Sequence, residues 1–482
     1  MRRVQAPIRI GVELLINHRR VRRLLLPAAA LLAAGCGAQH EAATIVSPPA
    51  VHKAARPASR ARPVAVQVTV VDGDTNRRVK GAHVRIGERS ASSDRRGVAN
   101  VPLVHRAPLI TSAAKPGYGR RAVRLSFRTH PKSTIRIYRT TAQWTMYGAV
   151  PGRTQSQSVL RVRPPFRVVW SRGLGTLIEF PAVVSDGVAY IANARGTVRA
   201  LDMRDGSVIW RRDTPNGKMA ASPAVWRGQV VVHGMDGHIW VLRRSDGKLL
   251  WRYTVRSPVE SSPVVVGGVD VFGAWNGTIT ALDLRTHRVR WRRSDGCKVT
   301  SSAAVAGNTL YLGDYCGRLL ALSARTGALR WSRSVNGRVY GTPALAGGRV
   351  FVPSSTGGSL TAFSTSGRFL WRRVTGSYVY SSPAVSQGRV FFGSYNGIFY
   401  ALRASDGATL WARRTGGPIS GAAVVVDGVA YAGSFAHRIL GVDVRHGRVV
   451  LDFPHGEYVP VSGGGRRLLL HGYSRLYAVE AK

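Results

Sequence analysis

One phrase recurs through most of this chain: a small residue and a hydrophobe, a polar turn, then a tryptophan. The copies read ALDMRDGSVIW to Trp210, VLRRSDGKLLW to Trp251, ALDLRTHRVRW to Trp291, ALSARTGALRW to Trp331, AFSTSGRFLW to Trp371 and ALRASDGATLW to Trp411. A weaker copy, GVDVRHGRVVL, puts Leu451 in the tryptophan position, and Trp170 stands one interval before the first full copy. From Trp170 onward the intervals are 40, 41, 40, 40, 40, 40 and 40 residues. A period of that length marks an array of supersecondary units, none of which can bury its faces alone.

Within each unit the turn chemistry divides the chain into four strands. In the copy ending at Trp411 these are SSPAVSQ, GRVFFGS, GIFYALR and TLWARR, the first innermost and the last outermost. Asn396-Gly397, Asn276-Gly277 and Asp236-Gly237 mark the second-to-third turns, and Asp205-Gly206, Asp246-Gly247, Thr326-Gly327 and Asp406-Gly407 the third-to-fourth. Asn-Gly and Asp-Gly pairs tolerate the positive φ that tight hairpins require. Seven units end at Trp210, Trp251, Trp291, Trp331, Trp371, Trp411 and Leu451, and the 31 residues left over suffice for three more strands. FRVVW, ending at Trp170, supplies the missing fourth. The expectation is an all-β chain: an eight-bladed β-propeller with an N-terminal strand closing the last blade, which removes a free sheet edge. The tryptophans Trp170, Trp210, Trp251, Trp291, Trp331, Trp371 and Trp411 are then blade-docking residues, each laying an apolar face on the next blade while its N–H finds a carbonyl.

Three other regions precede the array. Arg19, Arg20, Arg22 and Arg23 lead into LLLPAAALLAAG, an apolar run too short for a permanent membrane helix, so residues 1–36 read as an export signal. LAAGC resembles the lipobox of bacterial lipoproteins, which implies lipidation of Cys36 and a lipid anchor in the membrane. Residues 37–62 are rich in Ala, Pro and Ser and read as a flexible tether. Residues 63–140 read as a small β-sandwich: Val64, Val66, Val68 and Val70 alternate with small or polar residues, and VANVPL, LITSAAK, VRLSF and TIRIY follow as short strands. That stretch resembles the carboxypeptidase-regulatory-like, transthyretin-like domains, which bring no catalytic residues.

Residues 141–482 form the propeller region. The lead-in QWTMYGAVPGRTQSQSVLRVRPPFRVVW and the A-x-D-x-x-T-G-x-x-x-W phrase together resemble the pyrroloquinoline-quinone-like eight-bladed propellers, BamB-like envelope lipoproteins among them. The resemblance implies a non-enzymatic scaffold with no cofactor, exported and anchored at the outer face of the cytoplasmic membrane or in a periplasm. It also brings an alternative, a quinone-dependent dehydrogenase, because that fold includes such enzymes. Those enzymes hold their quinone with adjacent cysteines and a calcium site of carboxylates and amides, and this chain has no adjacent cysteine pair. Fold alone does not carry an activity over.

Seventy basic residues stand against 24 acidic ones, giving a net charge of +46. Both parts of the chain share the excess, with 27 basic and 6 acidic groups in residues 1–140 and 43 and 18 thereafter. Such a surface attracts anionic polymers or lipid headgroups in a salt-dependent way. Sixty-two of the 70 are arginine, a bias that a GC-rich genome produces without selection for binding. No specific nucleic-acid motif accompanies the charge, and the expected partner is a protein or polysaccharide of the envelope, bound to a monomeric propeller.

Candidate sites are few. Cys297 and Cys316 fall in loops on the same face of one blade, and an exported chain meets oxidising conditions, so they are expected to form a disulfide. Trp275, Tyr315, Tyr395 and Phe435 recur before the second-to-third turn, and Tyr340 and Tyr380 precede inner strands. On a propeller all six gather near one mouth of the channel, either as a face for stacking on a ligand or as packing between loops. His233, His238, His287 and His446 do not converge, no carboxylate companion is apparent, and neither a metal motif nor a catalytic triad is readable.

Overall fold

A computed structural model of the chain describes residues 64–103, 108–127, 131–215 and 217–482. The export signal, Cys36 and the tether lie outside the described residues.

The chain from Val64 builds a sandwich of two sheets. Strand Val64–Asp72 lies between Val98–Leu103, antiparallel, and Lys132–Ile137, parallel. The facing sheet orders Arg89–Ser92, His83–Ile86, Leu109–Ala114 and Arg121–Leu125. Val66, Val68, Val70, Val84, Ile86, Val101, Phe127, Ile135 and Ile137 fill the space between them, as the period-two pattern requires.

Eight sheets follow around a common axis, seven of four strands and one of five, in which Ser156–Gln157 adds in parallel to the inner strand Val424–Val426. The first runs from Val183–Ser185 through Val188–Ala192 and Thr197–Asp202 to Val208–Asp213, and six more repeat that order down to Val449–Pro454. The eighth takes Gly456–Gly464, Arg467–Gly472 and Arg475–Ala481 from the C-terminus and its outer strand, Phe166–Gly173, from before the array. Closing the ring with strands from both ends ties the termini of the array into one sheet.

The repeated phrase has a local reason. Its small residue lies directly across from the tryptophan: Ala200 faces Trp210, Ala281 faces Trp291, Ala321 faces Trp331, Ala362 faces Trp371 and Ala401 faces Trp411. A bulge follows at once in each pair, which twists the outer strand and turns the indole toward the next blade. There its N–H donates to a carbonyl one blade on: Trp170 to Met203, Trp210 to Arg244, Trp291 to Ala324, Trp331 to Thr365, Trp371 to Ala404 and Trp411 to Val444, at 2.9–3.3 Å. The ring rests on the glycine of that blade's third-to-fourth turn, where a Cβ at Gly407 would come within 2.7 Å of Trp371. Trp251 departs from the expected pattern. Its Nε1 is buried without a partner, because His287 replaces the glycine and stacks on the indole instead.

The segment Trp144–Gln157, which the sequence presents only as an entrance to the array, runs around the inside of the ring. Its backbone exchanges hydrogen bonds with Val184, then accepts from Val225, Val305, Leu345, Val385 and Val425 through the carbonyls of Thr145, Pro151, Gly152, Thr154 and Gln155. With Val184 these donors sit at the middle of six of the eight inner strands, the strand of Val265 not among them, and each would otherwise present an unpaired edge to the channel. Left-handed residues at Gly148, Ala149, Arg153 and Gln155 give the strap its curvature. The fully buried Arg153 donates to the carbonyls of Tyr147, Ser262, Pro263 and Ala303. Burial lowers its pKa to about 10, so it remains charged, and the buried Asp270 supplies the nearest countercharge. Asp270 also pairs with His233 Nε2 at 2.9 Å. His233 therefore does have a carboxylate companion, contrary to the sequence-based expectation; the two sit 37 residues apart on adjacent blades, a separation no local motif reveals.

Candidate functional site

Above the strap lies a belt of hydroxyls. The backbone N–H of Ser222 donates to Ser262 Oγ, that of Ser262 to Ser302 Oγ, that of Ser302 to Thr342 Oγ1 and that of Thr342 to Ser382 Oγ, at 2.8–3.3 Å. Each link joins one blade to the next at the 40-residue interval, and the belt ties together the inner strands of the second to sixth blades. Two residues before Ser262, Ser302, Thr342 and Ser382, and at the equivalent place in the seventh blade, the chain points into the open mouth of the channel. Glu260, Thr300, Tyr340, Tyr380 and Ser420 occupy that register, and with Phe180, Glu179 and Tyr458 they line a funnel whose floor is Tyr147 of the strap. Tyr147 donates to Ser382 Oγ at 3.1 Å and is fully buried. The repeat keeps the scaffold constant and varies this one register, which is how a symmetric array acquires a particular site.

All six aromatic residues singled out from the sequence lie at this mouth. Tyr340, Tyr380, Tyr395 and Phe435 form a chain of edge and tilted contacts at 5.1–5.9 Å, continued by Tyr378 and Tyr458. Trp275 and Tyr315 join through Lys298, whose ammonium stands 3.3 Å from the Trp275 ring centre and 4.8 Å from that of Tyr315. Packing and exposure are combined here: the rings pack on one another, yet Tyr378 is 40% exposed, and Trp275, Tyr315, Tyr340, Tyr380, Tyr395 and Phe435 all retain partial access to solvent. Cys297 and Cys316 are disulfide-bonded beside Lys298 and Tyr315, with Cα atoms 5.9 Å apart. The bond pins the loop that carries Lys298 to the turn that carries Tyr315.

Sequence reasoning missed the two carboxylates of the funnel. Glu260 is buried and accepts from Trp275 Nε1 at 2.9 Å and from the Tyr340 hydroxyl. Burial next to this carboxylate drives the Tyr340 hydroxyl pKa well up. Glu179 has no hydrogen-bond partner among the described residues; burial, and then the charge of Glu260, push its pKa up to about 7. A signal for Glu260 did exist, since it is the one acid in the register whose neighbours at 40-residue spacing are Thr300, Tyr340 and Tyr380. Glu179 lies before the first full copy and gave none.

These groups do not suit a quinone held with calcium. No cluster of three His, Cys, Asp or Glu side chains able to hold a metal occurs among the described residues. Both oxygens of Glu260 are engaged by Trp275 and Tyr340. The cysteines are joined across a sequence separation of 19 and do not form an adjacent pair.

Comparison with known proteins follows the geometry. The chain is 30% identical over 93 residues to the outer membrane protein assembly factor BamB of Pseudomonas aeruginosa, a stretch covering 19% of this chain and 23% of that protein. It is also 30% identical over 90 residues to a quinohemoprotein alcohol dehydrogenase of Pseudomonas putida, covering 17% of this chain and 12% of the enzyme. The chain thus aligns with only a minor part of the length of these relatives. Among solved structures, BamB from Moraxella catarrhalis superposes with a TM-score of 0.57 at 18% identity, over 66% of this chain and 98% of that one. The quinohemoprotein alcohol dehydrogenase of Comamonas testosteroni gives 0.61 at 15%, over 71% and 81%. Identities this low speak to the propeller fold alone. The family profile described as outer membrane protein assembly factor BamB matches residues 155–294, 194–342 and 275–482, covering the whole array, and to that family the chain belongs.

Proposed function

We propose that the protein is a non-enzymatic scaffold of the cell envelope, exported by residues 1–36, lipid-anchored through Cys36 and held off the membrane by the tether of residues 37–62. Its partner is a protein, and the docking site is the aromatic funnel. One observation carries this reading. The strap Trp144–Gln157 runs along the inside of the ring, and the funnel above Tyr147 is a small, aromatic-lined recess of about 50 Å³. A recess of that kind takes a protruding side chain of a protein surface better than it encloses a substrate. Glu179 and Glu260 in its lining favour a basic side chain there, and the tyrosine rings around them present faces that attract a cation. The family's description, outer membrane protein assembly factor BamB, supports a partner of that class.

The experiment is site-specific photocrosslinking in intact cells, with the probe at Tyr378 or Tyr395 and a control probe at Arg445 on a distant turn. A discrete crosslinked protein from the funnel positions, absent from the control and lost in a Tyr380→Ala, Phe435→Ala double variant of unchanged circular dichroism, is the expected result. Equal crosslinking from all three positions overturns the reading. Turnover of an alcohol with an artificial electron acceptor after incubation with quinone and calcium would instead favour the dehydrogenase.

A further inference from the structure

A second recess lies far from the funnel, where the sandwich meets the propeller. The sandwich turn Gly73–Asn76 presses on the hairpin turn of the eighth blade so closely that a Cβ at Gly465 would lie 2.0 Å from Asp74 Oδ1. Tyr138 packs against Gly187 of the first blade, and Arg121 donates to the Asp186 carbonyl at 3.0 Å. Between these contacts remains a crevice of about 310 Å³, within the range of roughly 300–1,000 Å³ typical of small-molecule sites.

Five guanidinium groups line it, from four separate elements: Arg136 of the sandwich, Arg167 of the strand closing the ring, Arg204 of a first-blade turn, and Arg466 and Arg467 of the eighth-blade turn. Their countercharges are fewer. Arg167 and Arg467 share one carboxylate, Glu480, at 2.7 and 2.6 Å. Arg204 is paired with Asp202 at 2.6 Å. Arg136 meets only the neutral side-chain oxygen of Asn76, and Arg466 is exposed and has no partner among the described residues. Asp74, the other acid in the lining, has one buried oxygen without a partner and no ion pair with any of the five. Burial and the nearby charges of Asp72 and Asp186 push its pKa up to about 7, so near neutral pH it cancels only part of the excess.

The arrangement discriminates between anions. A planar carboxylate is satisfied by a single bidentate arginine, whereas a tetrahedral dianion presents oxygens in several directions and is held best by guanidinium groups converging from different sides. We propose that this crevice binds a phosphoryl group, with Arg136 and Arg466 as its principal donors and Arg204 and Arg467 closing around it. The sandwich then completes the site, since Arg136 is the donor that the propeller does not supply. Two sources share this chemistry, free phosphate and a phosphate ester on a sugar or polyol, and the volume admits either.

The test uses the full chain from the tether onward, at constant ionic strength made up with chloride. Inorganic phosphate, glucose 6-phosphate and glucose are titrated separately by calorimetry, with the thermal midpoint followed in parallel. Saturable binding of phosphate or of the ester, none of glucose, and at least a tenfold loss of affinity in both Arg466→Ser and Arg136→Gln are expected. Tighter binding of the ester identifies an esterified ligand, and equal or weaker binding of the ester identifies the free ion. Arg466→Ser removes an exposed side chain without internal bonds, so its unliganded thermal midpoint should match that of the wild type. Binding of neither phosphate nor the ester better than chloride, or undiminished binding in Arg466→Ser, overturns the proposal.

Discussion

Trp251 stacks on His287 with ring centres 4.3 Å apart and an interplanar angle of 25°. It is the one docking tryptophan that has exchanged a hydrogen bond for a stacking contact, and the exchange follows from one residue. At the corresponding place the other blades carry Gly206, Gly247, Gly327, Gly367, Gly407 and Gly447, all at positive φ. His287 holds the same backbone conformation, at φ +60°, with a side chain attached.

The pair yields opposite expectations for two substitutions. His287→Gly relieves a left-handed non-glycine residue and allows Trp251 to reach the Leu284 carbonyl, so the thermal midpoint should rise, the two gains of about 1 kcal/mol each exceeding the lost stacking. Gly407→Ala should lower stability by roughly 2–3 kcal/mol, since its Cβ would meet Trp371. Denaturant midpoints of the two variants, measured together, decide whether the turn glycine governs docking.

Arg153→Met should be severely destabilising, by roughly 3–5 kcal/mol, because it leaves several buried carbonyls around the channel without a donor and Asp270 without its countercharge. Limited proteolysis provides the readout. Cleavage within Trp144–Gln157 should accelerate in the variant well before the outer blades become sensitive, and uniform cleavage would show that the strap is not a separable element.

Reducing the bond between Cys297 and Cys316 opens a loop with a sequence separation of 19. The loop-closure entropy restored to the unfolded chain is worth ~3 kcal/mol. A Cys297→Ser, Cys316→Ser double variant should therefore unfold at a lower temperature, and addition of a reductant should shift the wild type but leave the variant unchanged.

His471 sets a pH dependence. It is fully buried, its Nε2 accepts from the Ala182 N–H at 3.1 Å, and its Nδ1 must then carry the proton shared with the Pro460 carbonyl. Protonating Nε2 would oppose two donors, and burial holds the pKa down at about 4 against an ordinary 6.5. The folded state excludes a proton that the unfolded chain accepts. The stabilisation is therefore complete above pH 6.5 and lost progressively as the pH falls toward 4, by on the order of 3 kcal/mol. Glu179 acts in the opposite sense: its raised pKa makes its contribution complete below the ordinary 4.5 and lost as the pH rises through about 7. Unfolding free energies measured from pH 4 to 8 should lose the acid-side slope in His471→Gln and the neutral-side slope in Glu179→Gln.

The 40-residue interval, the turn pairs and the leftover strand at Trp170 determined the blade count and the closure of the ring, because each is a local requirement repeated until it becomes unambiguous. The six aromatics at the mouth were legible for the same reason, since a fixed register in a repeat maps onto one level of the barrel. What only the tertiary structure decided lies on the axis, where residues remote in sequence meet. Arg153 finds carbonyls more than 100 residues away, Glu260 bonds Tyr340 across 80 positions, and His233 finds Asp270 on the neighbouring blade. The strap gave no periodic signal because it meets different blades in turn and resembles none of them. Strand pattern and turn chemistry specify how each blade folds; what occupies the space the blades enclose is settled only when all eight have closed around it and their inner edges have found donors and acceptors.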